Sequence, residues 1–298
     1  MPRTLFLNSS QTVEIPDEEK TYLFTLGTEN AQAELLIDII NKRLRVLKIM
    51  GNKEESILEK IYEVAKLNKL GKIWAVATID QWEWFFKWGY ILEGILPRYF
   101  NSGSAYYMAY FLSSERRIST LIDEEERLIN NLKKQNLAGK LPALPEGYEM
   151  RLGNFEDVEE LAKFYDEIFP TYPTPMHDPK YVKKMMNNKV IFNIIFWKGK
   201  IVTAASADIE EASKTVEMTD IACSPEHRGK QLPVIAINSL EKKMKQLKMK
   251  TLYTLARAKL PGINKAFYRL GYSYYGRLIN NCDIFDGYED MNLLVKVL

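Results

Sequence analysis

The apolar positions of the C-terminal half follow two distinct periods. Leu232, Ile235, Ala236, Leu240, Met244 and Leu247 recur every three or four residues, which predicts one long helix with a single buried stripe. Around it lie short runs rich in β-branched and aromatic residues. Residues 148–152, 190–197, 201–209, 215–223 and 251–257 read as strands, and two further strands close the chain. Helices are expected over 156–168, capped near Asn154, over 179–187 and over 263–270. Pro170-Thr-Tyr-Pro-Thr-Pro175 reads as a stiff loop. Upstream, residues 119–135 are charged, with Leu121, Ile122, Leu128, Ile129 and Leu132 at helical spacing. A breaker cluster follows, Leu141-Pro-Ala-Leu-Pro-Glu-Gly147. The expected division is a domain over 1–118, a helical linker over 119–145 and a second domain over 146–298.

The first half repeats part of this order. Phe85-Phe-Lys-Trp-Gly-Tyr90 matches Phe267-Tyr-Arg-Leu-Gly-Tyr272 in residue type, and Gly94 and Gly276 stand four residues beyond each tyrosine. Each match is preceded and followed by a strand. The pattern predicts a degenerate duplication. The copies differ at the start of their long helices, where the first places Glu54 and Glu55. Acidic side chains there occupy the positive end that an anion would need, so the first half is expected to do no chemistry of its own.

The stretch from Val216 to Val234 carries the sharpest chemical signal. It reads as a strand, a turn and a helix opening on Arg228-Gly229-Lys230. Unpaired N–H groups at a helix start, with two flanking cations, suit a phosphate-bearing cofactor. From Arg228 to Lys259 nine basic residues face one acidic residue, Glu241. Most of those lysines read as the wet face of the long helix, which leaves Arg228 and Lys230 as the anion ligands.

Composition narrows the classes. An apolar fraction of 46% and a charged fraction of 27% are those of a soluble globular chain. A net charge of +2 offers no footing for nucleic acid or a membrane surface. His177 and His227 lie in no HExxH motif, so no metal site is expected. Two cysteines, Cys223 and Cys282, and an N-terminus without a long apolar core lead to a cytoplasmic expectation.

The order strand, RGK turn, long helix, strand, short helix ending in Leu-Gly-Tyr, strand resembles the GCN5-related N-acetyltransferases (GNAT). Tyr172-Pro-Thr-Pro-Met-His-Asp-Pro179, Val216-Glu-Met-Thr-Asp220, Thr254-Leu-Ala-Arg-Ala258, Gly271-Tyr272, Asn280-Asn281 and Glu289-Asp-Met-Asn292 are similar to the beta-lysine N-acetyltransferase family. In the first half, Asn41-x-Arg43, Lys72-Ile73, Gly89-Tyr90 and Pro97-x-Tyr-Phe-Asn101 are similar too. The resemblance covers nearly the whole chain. It implies an α/β fold with a mixed sheet: tandem acetyltransferase-like copies, the N-terminal one degenerate and the C-terminal one catalytic. It also implies transfer of an acetyl group from acetyl-CoA to the side-chain amine of beta-lysine, giving a compatible solute.

Amine acetylation needs a neutral nitrogen, and at pH 7 only about one lysine-like amine in 2,500 is neutral. A base or desolvation must therefore supply about 4–5 kcal/mol. Glu217 and Asp220 are the carboxylates nearest the cofactor turn, and alternation along a strand puts them on opposite faces. The resemblance favours Glu217 as base or head of a water relay; a structural carboxylate is the plain alternative. It also implies that the N–H groups of Ile221, Ala222 and Cys223 face the thioester oxygen. Arg228, Gly229, Lys230, Gln231 and Leu232 would hold the diphosphate, and Asn264 the cofactor or acceptor. Tyr172, Arg257, Asn280, Asn281 and Glu289 would contact the acceptor. Cys223 reads as a small buried thiol rather than a nucleophile.

The chain departs from the family pattern at several points. Gln231 and Pro233 stand where the general motif has Gly and then Gly or Ala. Phe267 stands where many acetyltransferases place a tyrosine acid, with Tyr268 next to it. Cys282 replaces a Thr, and Lys259-Leu260 replace a Ser-containing pair. Two rival readings stay open. One is an acetyltransferase for lysine, a polyamine or an aminoglycoside; the other is a non-catalytic acyl-CoA-binding protein. The expected partner is a small-molecule amine, and the sequence leaves a homo-oligomer open.

Overall fold

The computed structural model describes residues 2–100, 103–135, 137, 139, 141–169, 174–285 and 287–298. The N-terminal half runs β1 (Arg3–Phe6), β2 (Thr12–Ile15), β3 (Thr21–Gly27), β4 (Ala31–Asp38), β5 (Arg43–Gly51), α1 (Glu55–Leu67), β6 (Lys72–Ala77), α2 (Trp82–Lys87), β7 (Ile91–Phe100) and β8 (Gly103–Phe111). Two connecting helices follow, α3 (Ser114–Arg117) and α4 (Ile122–Lys134). The C-terminal half runs β9 (Tyr148–Leu152), α5 (Val158–Ile168), α6 (Pro179–Asn187), β10 (Ile191–Trp197), β11 (Lys200–Glu210), β12 (Thr215–Cys223), α7 (Leu232–Gln246), β13 (Thr251–Arg257), α8 (Pro261–Arg269), β14 (Ser273–Ile284) and β15 (Gly287–Val297).

β3 to β15 form one 13-stranded sheet in the order β3-β4-β5-β6-β8-β7-β14-β15-β13-β12-β11-β10-β9. Read outward from its centre, each half presents the same succession of six strands, and the C-terminal half adds β9 at its edge. Two strand pairs are parallel, β5 with β6 and β12 with β13. Each of these needs a crossover, which α1 and α7 supply. The junction between the halves is β7 against β14, where Gly94 pairs with its own sequence counterpart Gly276. An antiparallel pair of equivalent strands meeting at equivalent residues is what a pseudo-two-fold axis produces.

The sequence repeat is also a repeat of local geometry. The Phe85 and Tyr90 rings meet edge to face at 4.9 Å, and those of Phe267 and Tyr272 at 4.8 Å. In both copies the tyrosine N–H donates to the phenylalanine carbonyl at 3.1 Å, across a glycine of positive φ, Gly89 or Gly271. That is the αL helix terminus glycine permits. Replacing either buried phenylalanine by Ala would cost about 3–5 kcal/mol.

Element boundaries follow the sequence with local differences. The helix expected over 156–168 opens as a single tight turn, Phe155–Asp157, with Asn154 and Asp157 forming a reciprocal cap. The last helix starts at Pro261, since proline suits a first helical turn. Leu247, expected in the buried stripe, is 38% exposed because it caps α7 rather than lying in it. Val234 and Ile237 widen that stripe. The N-terminal core gathers Ile57, Ile61, Ile73 and Phe85, with Trp82, Trp84 and Trp88 against it. The tryptophan cluster is therefore core packing. A separate core, including Trp74, Tyr107, Leu278 and Leu293, joins the two halves.

Candidate functional site

β12 and β13 pair only over Thr215↔Thr251, Val216↔Leu252 and Glu217↔Tyr253. Beyond that point both strands continue, still paired on their outer sides as far as Cys223 with β11 and Arg257 with β15. Their inner edges therefore separate into a fork whose backbone groups have no strand partner. Such edges require another acceptor or donor when covered. Glu217 and Tyr253 mark the apex.

A bulge in β12 shapes the fork. Thr219 and Ala222 lie opposite Ser206 and Ala204, so three steps on β12 answer two on β11. Asp220 absorbs the extra residue with φ of 47°. The bulge undoes the expected alternation. Ser206 and Asp208 share one face of β11, Asp208 is paired with Glu217, and the Ser206 hydroxyl donates to Asp220 Oδ2 at 2.7 Å. Glu217 and Asp220 thus stand on the same face. Asp220 is held structurally, since its carbonyl also accepts from the Tyr165 hydroxyl at 2.6 Å.

The fork leads to the predicted turn. Gly229 has φ of 80° and Gln231 φ of 60°, so the chain turns through two left-handed residues before α7. The N–H groups of Gly229, Lys230 and Gln231 reach no acceptor among the described residues, and Arg228 to Gln231 are exposed. Leu232 is buried and anchors the helix start. A Cβ at Gly229 would meet nothing within 4 Å, which leaves open space above the turn. Lys230 Nζ donates to the Glu226 carbonyl at 3.2 Å. Beneath, the His227 ring is hydrogen-bonded to the Tyr148 hydroxyl at 2.7 Å and packs edge-on to it. In the N-terminal copy Glu54 stands at the N-cap of the corresponding helix without bonding the helix N–H groups; its carboxylate accepts from the Thr28 hydroxyl at 2.7 Å and Asn30 Nδ2 at 2.8 Å. An exposed set of donors with two cations fits a diphosphate in the C-terminal copy, whereas the N-terminal copy places a carboxylate at the equivalent helix start.

At the apex, burial pushes the Glu217 carboxyl up to about 7, and the Asp208 carboxylate beside it adds to the rise. Arg45 of the N-terminal half opposes that rise. The Tyr253 hydroxyl donates to Glu217 Oε2 at 3.3 Å. Burial and the neighbouring Glu217 together raise the Tyr253 hydroxyl well above its ordinary value. A carboxyl poised near 7, partly exposed, at the end of an open fork is suited to taking a proton at neutral pH. Cys223 is not so suited: burial pushes its thiol up, away from the thiolate.

The other predicted residues fall elsewhere. Arg257 and Glu289 form a two-point ion pair at 2.7 and 2.6 Å, and Lys259 Nζ joins Glu289 at 2.9 Å. Asn264 is fully buried. Its Nδ2 donates to the carbonyls of Arg257 at 2.9 Å and Leu260 at 2.7 Å, and its Oδ1 accepts from Asn292 at 2.9 Å. Asn280 Nδ2 donates to the Arg116 and Ile118 carbonyls at 3.0 Å, tying β14 to the connecting segment. Asn281 is buried beside Lys72 at the junction of the halves. The Tyr268 hydroxyl is buried without a partner, and desolvation, with Tyr274 nearby, pushes it up to about 12. Tyr172 lies outside the described residues.

Sequence reasoning missed Tyr253, Asp208, Tyr99, Tyr107 and Arg45. All surround Glu217. Tyr253 lay inside a predicted strand, but only its register with Glu217 reveals its role. Among the described residues, no cluster of His, Cys, Asp and Glu could hold a metal ion, and no helix is long and apolar enough to cross a membrane.

Residues 156–272 match the family described as Acetyltransferase (GNAT) family. The chain is 34% identical over 261 residues to a Beta-lysine N(6)-acetyltransferase of Methanococcus maripaludis, spanning 88% of this chain and 94% of that protein. It is 34% identical over 264 residues to a protein of the same name from Methanosarcina mazei, spanning 82% and 97%. The N-acetyltransferase YodP of Bacillus subtilis is 34% identical over 276 residues, spanning 93% and 100%. Among solved structures, an N-acetyltransferase from Staphylococcus aureus superposes with a TM-score of 0.45 at 18% identity, over 50% of this chain and 98% of that one.

Proposed function

Because the chain belongs to the acetyltransferase (GNAT) family and is an acetyl-CoA-dependent N-acetyltransferase, we propose that it acetylates the N6 amine of beta-lysine. The near full-length relation to two proteins bearing that name supports this acceptor over other small amines. The product would carry one ammonium and one carboxylate and no net charge, as a compatible solute requires.

One observation carries the mechanism: Glu217, pushed up to about 7, sits where β12 and β13 part. Bound acetyl-CoA supplies the activated thioester. The exposed N–H groups of Gly229, Lys230 and Gln231, with the Arg228 and Lys230 side chains, would hold its diphosphate. Glu217 takes a proton from the acceptor ammonium, restoring the nitrogen lone pair, and the Tyr253 hydroxyl fixes the carboxylate that does so. The amine would then attack the acyl carbon directly: the C–N bond forms, the C–S bond breaks, and the nitrogen's second proton passes to the leaving sulfur, so that the coenzyme departs as its thiol. Unpaired N–H groups on the inner edge of β12, within Ile221 to Cys223, offer donors to the oxygen that gains charge. Tyr268 has no place in this path, since its hydroxyl is buried beside Tyr274 and is a poor acid at neutral pH. The N-terminal half, taken as residues 1–118, would bind no coenzyme because the Glu54 carboxylate stands at its helix start, where it repels a phosphate.

Steady-state turnover of acetyl-CoA with beta-lysine, lysine, a polyamine and an aminoglycoside tests the reading. Highest kcat/KM for beta-lysine is expected. Preference for another amine would replace the acceptor, and coenzyme binding with no turnover on any amine would overturn the enzymatic mechanism.

A further inference from the structure

The duplication brings two equivalent positions to one site. Counting from the first parallel pair of each half, Arg43↔Lys72 and Thr215↔Thr251, the third pairs are Arg45↔Trp74 and Glu217↔Tyr253. Arg45 is thus the counterpart of Glu217. Its guanidinium lies over the Trp74 ring, 4.8 Å from the centroid. Trp74 meets Tyr107 edge to face at 5.1 Å, and both belong to the core cluster against which Tyr253 and Tyr99 pack. The chain Arg45, Trp74, Tyr107, Tyr253, Glu217 therefore joins the two halves around the fork apex.

Two members of this group are unsatisfied, the Trp74 indole N–H and, carrying the charge, Arg45. Its neighbour Arg43, also over Trp74, is fully engaged, with Asp38 Oδ2 at 2.8 Å and the Asn281 carbonyl at 2.9 Å. Arg45 makes no hydrogen bond and no ion pair within 4 Å among the described residues, and its Nε is buried without a partner. A buried guanidinium N–H left unpaired costs stability unless a ligand completes it. The groups facing it include Asp208, Glu217, Tyr99 and Tyr253. Arg45, Asp208, Glu217, Tyr99 and Tyr253 all keep partial exposure.

We infer that Arg45 of the N-terminal half binds the carboxylate of an amino-acid acceptor and thereby selects amino acids over simple diamines. The inference rests on the proposed acetyltransferase reading and deepens it. Asp208 and Glu217 present negative charge to the acceptor's amines, while Arg45 presents the one planar donor pair suited to a carboxylate. Arg257, one of the residues the resemblance offered for the acceptor, is already neutralised by Glu289. The N-terminal copy has lost its own coenzyme site and kept its counterpart strand as a wall of the acceptor site.

The test compares wild type, Arg45→Gln and Arg45→Lys on two matched pairs: beta-lysine with 1,4-diaminopentane, and lysine with cadaverine. The readout is the ratio of kcat/KM for the carboxylate-bearing member to that for the carboxylate-free member. Circular-dichroism melts confirm folding. A fall in the ratio of roughly 10- to 100-fold in Arg45→Gln, mainly through KM, with partial recovery in Arg45→Lys, is expected for loss of a charged hydrogen bond. An unchanged ratio, with both members slowed alike, would mean that Arg45 only balances Glu217 and Asp208, and would overturn the inference. Wild type preferring lysine over beta-lysine, with the ratio still falling in Arg45→Gln, would overturn the acceptor and leave Arg45's role standing. Wild type preferring the carboxylate-free members would overturn both.

Discussion

Gly94 and Gly276, matched in the sequence repeat, face each other as the paired residues of β7 and β14. A Cβ on Gly276 would lie 2.2 Å from the Glu93 carbonyl oxygen and 2.4 Å from the Gly94 Cα. The strands can approach this closely because Gly276 carries no side chain at the crossing; a Cβ on Gly94 would meet Leu293 Cδ2 at 3.0 Å.

Gly276→Ala is therefore expected to destabilise the protein by about 2–4 kcal/mol, as overpacking against backbone does. Gly262→Ala, where a Cβ would meet nothing within 4 Å, is the matched control. Urea denaturation of both variants reads the difference, and equal midpoints would refute the junction argument.

The Glu217 carboxyl has a folded value of about 7 against an ordinary 4.5. Raised above its unfolded value, it favours the fold fully below pH 4.5, and that contribution is lost as pH rises to about 7. Glu217→Gln should thus melt higher than wild type at pH 8, by about 1–3 kcal/mol of stability, with no such gain at pH 4.5. Its kcat/KM should lack the rise through pH 7 that is expected of wild type. Thermal melts and a pH–rate profile over pH 5–9 check both signs.

Gln231 holds φ of 60° where glycine would rest without strain, and Pro233 cannot donate. Changing Gln231 to Gly and Pro233 to Ala relieves the first and restores an N–H for the second. The expected result is acetyl-CoA binding roughly 3- to 30-fold tighter, measured by calorimetry. No change would show that the turn does not grip the diphosphate.

At the junction Lys72 Nζ lies 2.8 Å from Glu93 Oε2 and 2.8 Å from the Ile279 carbonyl, with both side chains essentially fully buried. Desolvation lowers the ammonium to about 8, despite the Glu93 carboxylate. Lys72→Met leaves Glu93 buried and uncompensated and should cost about 3–5 kcal/mol. Removing both charges, by Lys72→Met with Glu93→Gln, should recover much of that loss. Denaturant titration of the single and double variants reads the coupling.

The C-terminal elements were legible because each has a local cause. The stripe from Leu232 to Met244, the glycine stops before Tyr90 and Tyr272, and the prolines at 233 and 261 act within a few residues of themselves. The exposed turn at Arg228 to Gln231 was legible for the same reason. The bulge at Asp220 was not, because it depends on the partner strand, and it reversed the expected facing of Glu217 and Asp220. Arg257 and Glu289, attractive as separate binding groups, satisfy each other across adjacent strands.

What the sequence determined by itself is the succession of elements, the repeat and the anion-ready turn, since periodicity, capping and φ restrictions are short-range. Only the tertiary structure decided that the repeat folds back on itself at Gly94 and Gly276, and so brings Arg45 to Glu217 across 172 positions of chain. Charge and burial act through space, and proximity between distant residues is fixed by strand register, which no local pattern encodes.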